Sequence, residues 1–250
     1  MKKLNWQVLL GFGLVFCSAL IYFVHFLVFG DAHHIWIYLV GDIAFVPVEV
    51  LLVTLIIHRL LSHREKKSML EKMNMVIGAF FSEAGIPLLK MFAALDPDSE
   101  KIVSRLKVKK EWSDAEFRKA ARLIKKGTYS VSLDTDSAGD LKTVKEFLET
   151  KRQFLLRLLQ NPNLLEHDSF TDLLWAVFHL AEELSHRSDP GSLPMADYAH
   201  ISGDIERAYK KMIAEWLDYM EHLHAHYPYL FSLAVRTNPF DPEAVPEIPE

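Results

Sequence analysis

The sequence predicts an all-α protein, a two-helix transmembrane hairpin followed by a cytoplasmic helical bundle. Three observations carry that prediction. Residues 5–30 read NWQVLLGFGLVFCSALIYFVHFLVFG, without one Asp, Glu, Lys or Arg. A second apolar run goes from Ile35 to Leu61. Beyond it, apolar residues recur at three- and four-residue steps between helix-capping and Gly/Pro signals, and only Tyr129–Leu133 alternates as a strand would.

Each apolar run exceeds the roughly 20 residues that a helix needs to cross a hydrocarbon core. The turn-like Gly30-Asp31-Ala32-His33 between them makes a hairpin. Lys2, Lys3 and the small residues Cys17-Ser18-Ala19 raise a cleavable signal peptide. The run continues about ten residues past Ala19, which suits an uncleaved anchor instead. Lys2 and Lys3 precede the first span, and Arg59, Arg64, Lys66, Lys67 and Lys72 follow the second. The connecting loop carries Asp31 and no Lys or Arg, so the positive-inside rule puts both termini in the cytoplasm. Trp6, Trp36 and Tyr38 stand near the span ends, where amphipathic rings favour the interface. One cysteine permits no intrachain disulfide.

The chain divides into a hairpin at 1–61 (spans about 5–29 and 35–60), a juxtamembrane helix at 62–96 continuing from the second span, a helical domain at 97–236, and a flexible proline-containing tail at 237–250. Met69, Met73, Val76, Ile77, Phe80, Phe81 and Ala84 continue the second helix to about Ala84, where Gly85 and Pro87 interrupt it. Ser113 and Glu116 form a capping box, and Gly127 closes the helix that follows. Asp140 caps a helix to about Gln160, ended by Asn161-Pro162-Asn163. Asp168 or Ser169 starts another, which Ser188-Asp189-Pro190-Gly191 ends. A long helix from about Pro194 to His226, with a bend at Gly203, precedes a short one from Tyr229 to Arg236.

The net charge of −5 hides an asymmetry. Residues 101–126 hold ten basic and three acidic side chains, whereas residues 127–250 hold ten and 21. The block of Lys107, Lys109, Lys110, Arg118, Lys119, Arg122, Lys125 and Lys126 faces either anionic lipid headgroups or the chain's own acidic half. Near a cytoplasmic leaflet, attraction is worth about 1 kcal/mol per cation. Nucleic acid is not an expected partner, since no recognition motif accompanies the block. Membrane lipids, a second copy of the chain or another membrane protein are.

Two Glu-x-x-His segments, Glu183-Leu184-Ser185-His186 and Glu221-His222-Leu223-His224, have the spacing used in di-iron bundles, where the ligands project inward. Helical phase opposes that here. Leu173, Leu174, Val177, Phe178, Leu180, Ala181 and Leu184 share one direction, with His179, Glu183 and His186 opposite. In the later helix Ile205, Tyr209, Met212, Trp216, Met220 and Leu223 form the buried stripe, away from Glu221. His222 and His226 share a face with Asp218, a set able to hold zinc adventitiously at a helix end. No resident metal or other cofactor is expected. Nucleophile elbow, phosphate loop and kinase signatures are all missing, so no catalytic residue is assigned and a non-enzymatic role is expected.

Asp42 and Glu49, seven residues apart, fall within about 20° on one helix face. Ile35, Val46, Val53 and Ile56 share it, and Tyr38 stands one turn above Asp42. Intramembrane carboxylates normally turn towards protein or water and mark functional sites. Pro47 removes a backbone donor between them. The first span offers His25 at the same depth as Asp42. Three readings follow: a packing stripe, a pathway lined by Asp42 and Glu49 in an oligomeric ion-conducting or transport assembly, and a relay along the helix that continues from the second span.

The stretches EKMNMVIGAFFSEAG (71–85), FTDLLWAVFHLAEEL (170–184) and EWLDYMEHLHAHYPYLFSLAVRTNPFD (215–241) resemble a group of uncharacterised bacterial inner-membrane proteins. Those proteins have two amino-terminal spans and a helical cytoplasmic domain. The resemblance implies that architecture and a multi-pass bacterial inner-membrane location, and assigns no site residue. A scaffold, sensor or regulatory component is the expected role.

Overall fold

The computed structural model describes residues 6–127, 131–134, 137–162, 164 and 167–247. Helices α1 (Trp6–Phe29), α2 (Ala32–Phe80), α3 (Ile86–Ala94), α4 (Ser99–Leu106), α5 (Asp114–Lys126), α6 (Ala138–Leu159), α7 (Asp168–Ser185), α8 (Met195–His226) and α9 (Pro228–Arg236) follow one another, with no strand among the described residues. Two compact units divide between Lys66 and Lys67, a boundary that falls within α2.

The first unit holds α1 and the first part of α2. Their junction is tight: Gly30 adopts φ 65°, a left-handed conformation that glycine takes at little steric cost, and its N–H reaches the Phe26 carbonyl at 2.8 Å. The Asp31 carboxylate then accepts the His33 and His34 N–H groups at 2.9 and 3.3 Å, satisfying donors that have no partner within the helix. Segments Val8–Phe29 and Ala32–Glu65 are long and apolar enough to cross a membrane by length and composition, and neither is buried within the protein. Pro47 does not end α2. It only removes the donor for the Ile43 carbonyl.

In the second unit α7 and α8 pack side by side, with α6 against α7. The stripe on α8 is buried as its period requires, through Tyr198, Ile201, Ile205, Tyr209, Met212, Trp216, Met220 and Leu223. Leu173, Leu174, Val177, Leu180 and Leu184 of α7 face the same interior. Large rings join the layers: Phe80 meets Phe170 edge-on at 5.5 Å, and Phe92 meets Tyr209 at 6.1 Å. Each such side chain contributes roughly 1.5–3 kcal/mol through burial. The Ser113 capping box is present, with the Glu116 carboxylate accepting from the Ser113 N–H and hydroxyl at 2.7 and 2.9 Å.

Several expectations are corrected. Gly85 and Pro87 do not break the helix: Phe81–Gly85 forms one π turn that leads directly into α3. Proline fits there because it occupies the first turn of α3, where its missing N–H costs nothing. Of the expected strand, residues 129 and 130 lie outside the described residues and 131–134 is coil. Its alternation reflects Val131 and Leu133 turning inward, with the Leu133 N–H donating to Ser202 Oγ at 3.2 Å in place of a sheet partner. Helix α6 starts at Ala138 after Ser137, ahead of Asp140, and α8 runs through Gly203 without interruption. Asn163 lies outside the described residues. The segment from Thr237 is not a free tail at its start, because Asn238 and Phe240 are buried. Phe240 packs on Trp216 at 5.1 Å, and Asn238 donates to the Leu106 carbonyl at 2.9 Å.

Candidate functional site

Within the hairpin unit, Asp42 has a partner that sequence reasoning passed over: the Tyr22 hydroxyl of α1 donates to its Oδ2 at 3.2 Å. His25 is not brought to Asp42. Its ring lies 6.0 Å from His34 in a parallel stack and 4.7 Å from Phe29, while His34 meets Tyr38 edge-on at 4.7 Å. The expected stripe therefore splits into a Tyr22–Asp42 pair and a ring cluster nearer the junction. Tyr22 was legible in principle, since it lies one turn before His25 on the same face of α1. Glu49 is exposed and makes no hydrogen bond or ion pair among the described residues.

In the second unit the basic block divides. Lys107 bonds Asp241 and Glu243, at 2.9 Å each, and this bonding raises its pKa, the Glu243 hydrogen bond foremost. It is therefore removed from the free face, because acids just past α9 fold back onto it. Lys109, Lys110, Arg118, Lys119, Arg122, Lys125 and Lys126 are exposed and form no ion pair among the described residues. Arg118, Lys119, Arg122 and Lys126 border a shallow hollow on α5, together with Ala115 and Leu123.

The histidine-rich end of α8 is a packed junction. Asn74 Nδ2 donates to His222 Nδ1 at 3.2 Å, the His222 and His226 rings stack at 4.6 Å, and His226 Nδ1 turns back to the His222 carbonyl at 3.1 Å. Burial, with His226 beside it, lowers the pKa of His222. Asp218 keeps an exposed edge, yet the protein around it and then Glu215 raise its carboxyl pKa. His224 packs between Phe117 and Phe231. An apolar cleft of about 270 Å³ opens beside this end, lined by Gly78, Phe81, Trp216, Tyr219, Leu223 and Leu233 among others.

Between α7 and α8 lies a polar cluster of which sequence reasoning saw only half. Asp204, 2% exposed, accepts from Arg207 Nη1 through Oδ1 at 2.7 Å. Its Oδ2 lies 3.5 Å from both His179 Nε2 and His200 Nε2. Glu183 stands 3.9 Å from His179 and 3.8 Å from His200. Arg187 binds Glu183 at 2.7 Å and grips Asp197 through two bonds of 2.8 and 2.7 Å. Those guanidinium contacts hold the Glu183 and Asp197 carboxyls below their ordinary pKa values. His186 turns away to the Glu182 carbonyl at 2.7 Å. The overlooked signal is two (i, i+4) pairs, His179 with Glu183 and His200 with Asp204. Among the described residues, no group of three or more His, Cys, Asp or Glu side chains is placed to hold a metal ion.

Fold and sites together define an all-α protein with an apolar two-helix unit and a separate helical unit bearing polar clusters. Residues 69–236 match a family described as "Uncharacterized protein MJ1433, C-terminal helical domain", and residues 2–61 match "MJ1433, N-terminal helical domain". The chain is 45% identical over 245 residues to "Uncharacterized protein MJ1433" of Methanocaldococcus jannaschii, covering 98% of this chain and 97% of the relative. This protein belongs to the MJ1433 family. The relative is archaeal, so the bacterial setting expected from the sequence is not supported. No solved structure matches the chain.

Proposed function

We propose that this is a multi-pass cell-membrane protein, anchored by the hairpin at 1–61 with both termini in the cytoplasm. There it acts as a non-enzymatic scaffold, sensor or regulatory component through its helical unit. One observation carries the reading. The helices of the first unit expose apolar side chains on every side, from Leu9, Phe12 and Phe16 to Val50, Leu55 and Leu60. In water such a surface far exceeds what a soluble protein leaves uncovered, whereas a bilayer solvates it. The Tyr22–Asp42 hydrogen bond supports packing of the hairpin on itself.

Glu49 favours self-association. A carboxyl in an apolar span, with no partner from its own hairpin among the described residues, turns to protein or water, and a second copy supplies either. The transport reading rests on the same residue and needs an oligomer, since two spans enclose no pore.

Alkaline carbonate extraction of membranes from expressing cells tests the anchor, and deletion of residues 1–61 controls it. The full chain stays in the pellet and the deleted chain is released. Release of the full chain removes the proposal. An Asp31→Cys chain, with Cys17 replaced by Ala, reacts with an impermeant thiol reagent on intact cells if the loop lies outside. Labelling only after lysis reverses the topology. Ion flux through reconstituted protein that vanishes in Glu49→Gln selects transport over scaffolding.

A further inference from the structure

We propose that the cleft between α8 and α9 binds one single-chain lipid alcohol, with its hydrocarbon chain along the buried floor and its hydroxyl at Tyr219. The floor is made of side chains that water barely reaches, Phe81, Trp216 and Leu223, and the exposed Leu230 and Leu233 of α9 form the rim. A concave apolar site with few polar groups is the usual form of a small-molecule pocket. Its volume of about 270 Å³ is less than twice the roughly 150 Å³ of a cavity that holds one benzene. A two-chain lipid or a peptide helix is therefore too large. The shape favours a chain over a ring: lining residues run from Trp216 to Leu223 on α8 and from Leu230 to Thr237 on α9, two turns each, or roughly 10 Å.

The polar groups of the cleft select an uncharged head. No Asp, Glu, Lys or Arg stands among the described residues that line it. A carboxylate or ammonium placed there would lose hydration without gaining a counter-charge, which costs far more than burying a hydroxyl. The Tyr219 and Ser82 hydroxyls line the cleft and form no hydrogen bond among the described residues, whereas the Thr237 hydroxyl is taken by the Leu233 carbonyl at 3.0 Å. Each free hydroxyl can donate and accept, the complement of an alcohol. The Tyr219 ring is held by stacking on Phe81 at 5.5 Å, and burial raises its pKa, so the phenol stays protonated. Gly78 supplies a second, independent observation. A Cβ there would stand 2.8 Å from the Tyr219 oxygen, so the hydroxyl lies against α2 at a place from which any other residue would push it.

The site does not depend on how the chain is anchored, and one experiment reads the two separately. The full chain in phosphatidylcholine vesicles is photolysed with a diazirine derivative of 1-decanol, and the labelled peptides are mapped. Label on residues 1–61 reports contact with the bilayer, and label on 78–86, 216–223 and 230–237 reports the cleft. Excess 1-decanol removes the cleft label, and decanoate or decane removes it less well. Tyr219→Phe lowers the affinity for 1-decanol about two- to tenfold, the worth of one hydrogen bond, and shrinks its preference over decane. Ala234→Phe fills the cleft and abolishes its label while label on residues 1–61 persists. Should that variant fail to fold, Gly78→Ala carries the comparison, since it displaces the Tyr219 hydroxyl and lowers the same affinity. Cleft peptides without saturable label, label unchanged in the folded cleft variants, or decanoate competing as well as 1-decanol overturns the site. Cleft label that appears only when the protein is diluted to monomers assigns the cleft to a second copy of the chain and overturns it equally.

Discussion

The Tyr22 hydroxyl donates to the Asp42 carboxylate at 3.2 Å, joining α1 to α2 across 20 positions of sequence. Tyr22→Phe keeps the ring and removes the donor, so it loosens the contact between α1 and α2 in a detergent or bilayer unfolding titration. Asp42→Asn costs less, because an amide oxygen still accepts the hydroxyl. A loss in Asp42→Asn with none in Tyr22→Phe would show that the carboxylate charge, rather than the bond, holds the helices.

The π turn separates two glycines that read alike in sequence. A Cβ on Gly85 would stand 2.5 Å from Phe81 Cδ1 and 3.0 Å from Phe80 Cε1, both on buried rings. Gly85→Ala therefore destabilises the helical unit by about 1–3 kcal/mol through overpacking. On Gly78 the Cβ would meet the Tyr219 hydroxyl at 2.8 Å, the far end of a half-buried side chain that can shift. The gain in helix propensity, about 1 kcal/mol, offsets most of that cost, so Gly78→Ala is near neutral. Denaturant unfolding of the two variants checks the contrast.

The free cations of α5 and the loop before it carry a prediction about lipid. Residues 67–250 bind vesicles containing anionic lipid more strongly than neutral ones, and the difference shrinks as salt rises. Replacing Arg118, Lys119, Arg122 and Lys126 by Gln lowers the partition coefficient by up to about a thousandfold, at roughly 1 kcal/mol per cation near the surface. Lys107→Gln has a smaller effect, since Asp241 and Glu243 already occupy that ammonium. Flotation assays read all three.

What was legible in sequence was local or periodic. The α8 stripe from Ile205 to Leu223, the α7 stripe from Leu173 to Leu184 and the Ser113 capping box follow from 3.6-residue spacing and short-range hydrogen bonding, and each stands in the structure. What stayed hidden depends on which helices meet. His200 and Asp204 look like solvated positions until α7 sets His179 and Glu183 opposite them. Phe240, among prolines, reads as tail until Trp216 gives it a surface. Gly85 and Pro87 read as a break because glycine weakens helices generally. Only the crowding of Phe80 and Phe81 shows why a residue without a side chain belongs there.

His222 gives a pH dependence with a definite sign. Burial lowers its pKa below the ordinary value near 6.5, and Asn74 Nδ2 donates to Nδ1, a nitrogen that accepts only when unprotonated. The folded state thus binds this proton less readily than the unfolded chain. The stability associated with neutral His222 is fully present above pH 6.5 and declines as pH falls from there to the folded-state pKa. Asp218 acts oppositely: its raised carboxyl pKa makes folding less favourable as pH rises through the range above about 4. Because both titrate in one unit, a single stability curve mixes them, and the useful quantity is a difference. His222→Gln keeps a similar volume and hydrogen-bonding capacity while deleting the ionisation. Subtracting its stability from that of the native chain at each pH cancels Asp218 and leaves a curve that falls on acidification below pH 6.5. A flat difference would mean that His222 titrates alike in the folded and unfolded chains, and that Asn74 does not hold its neutral form.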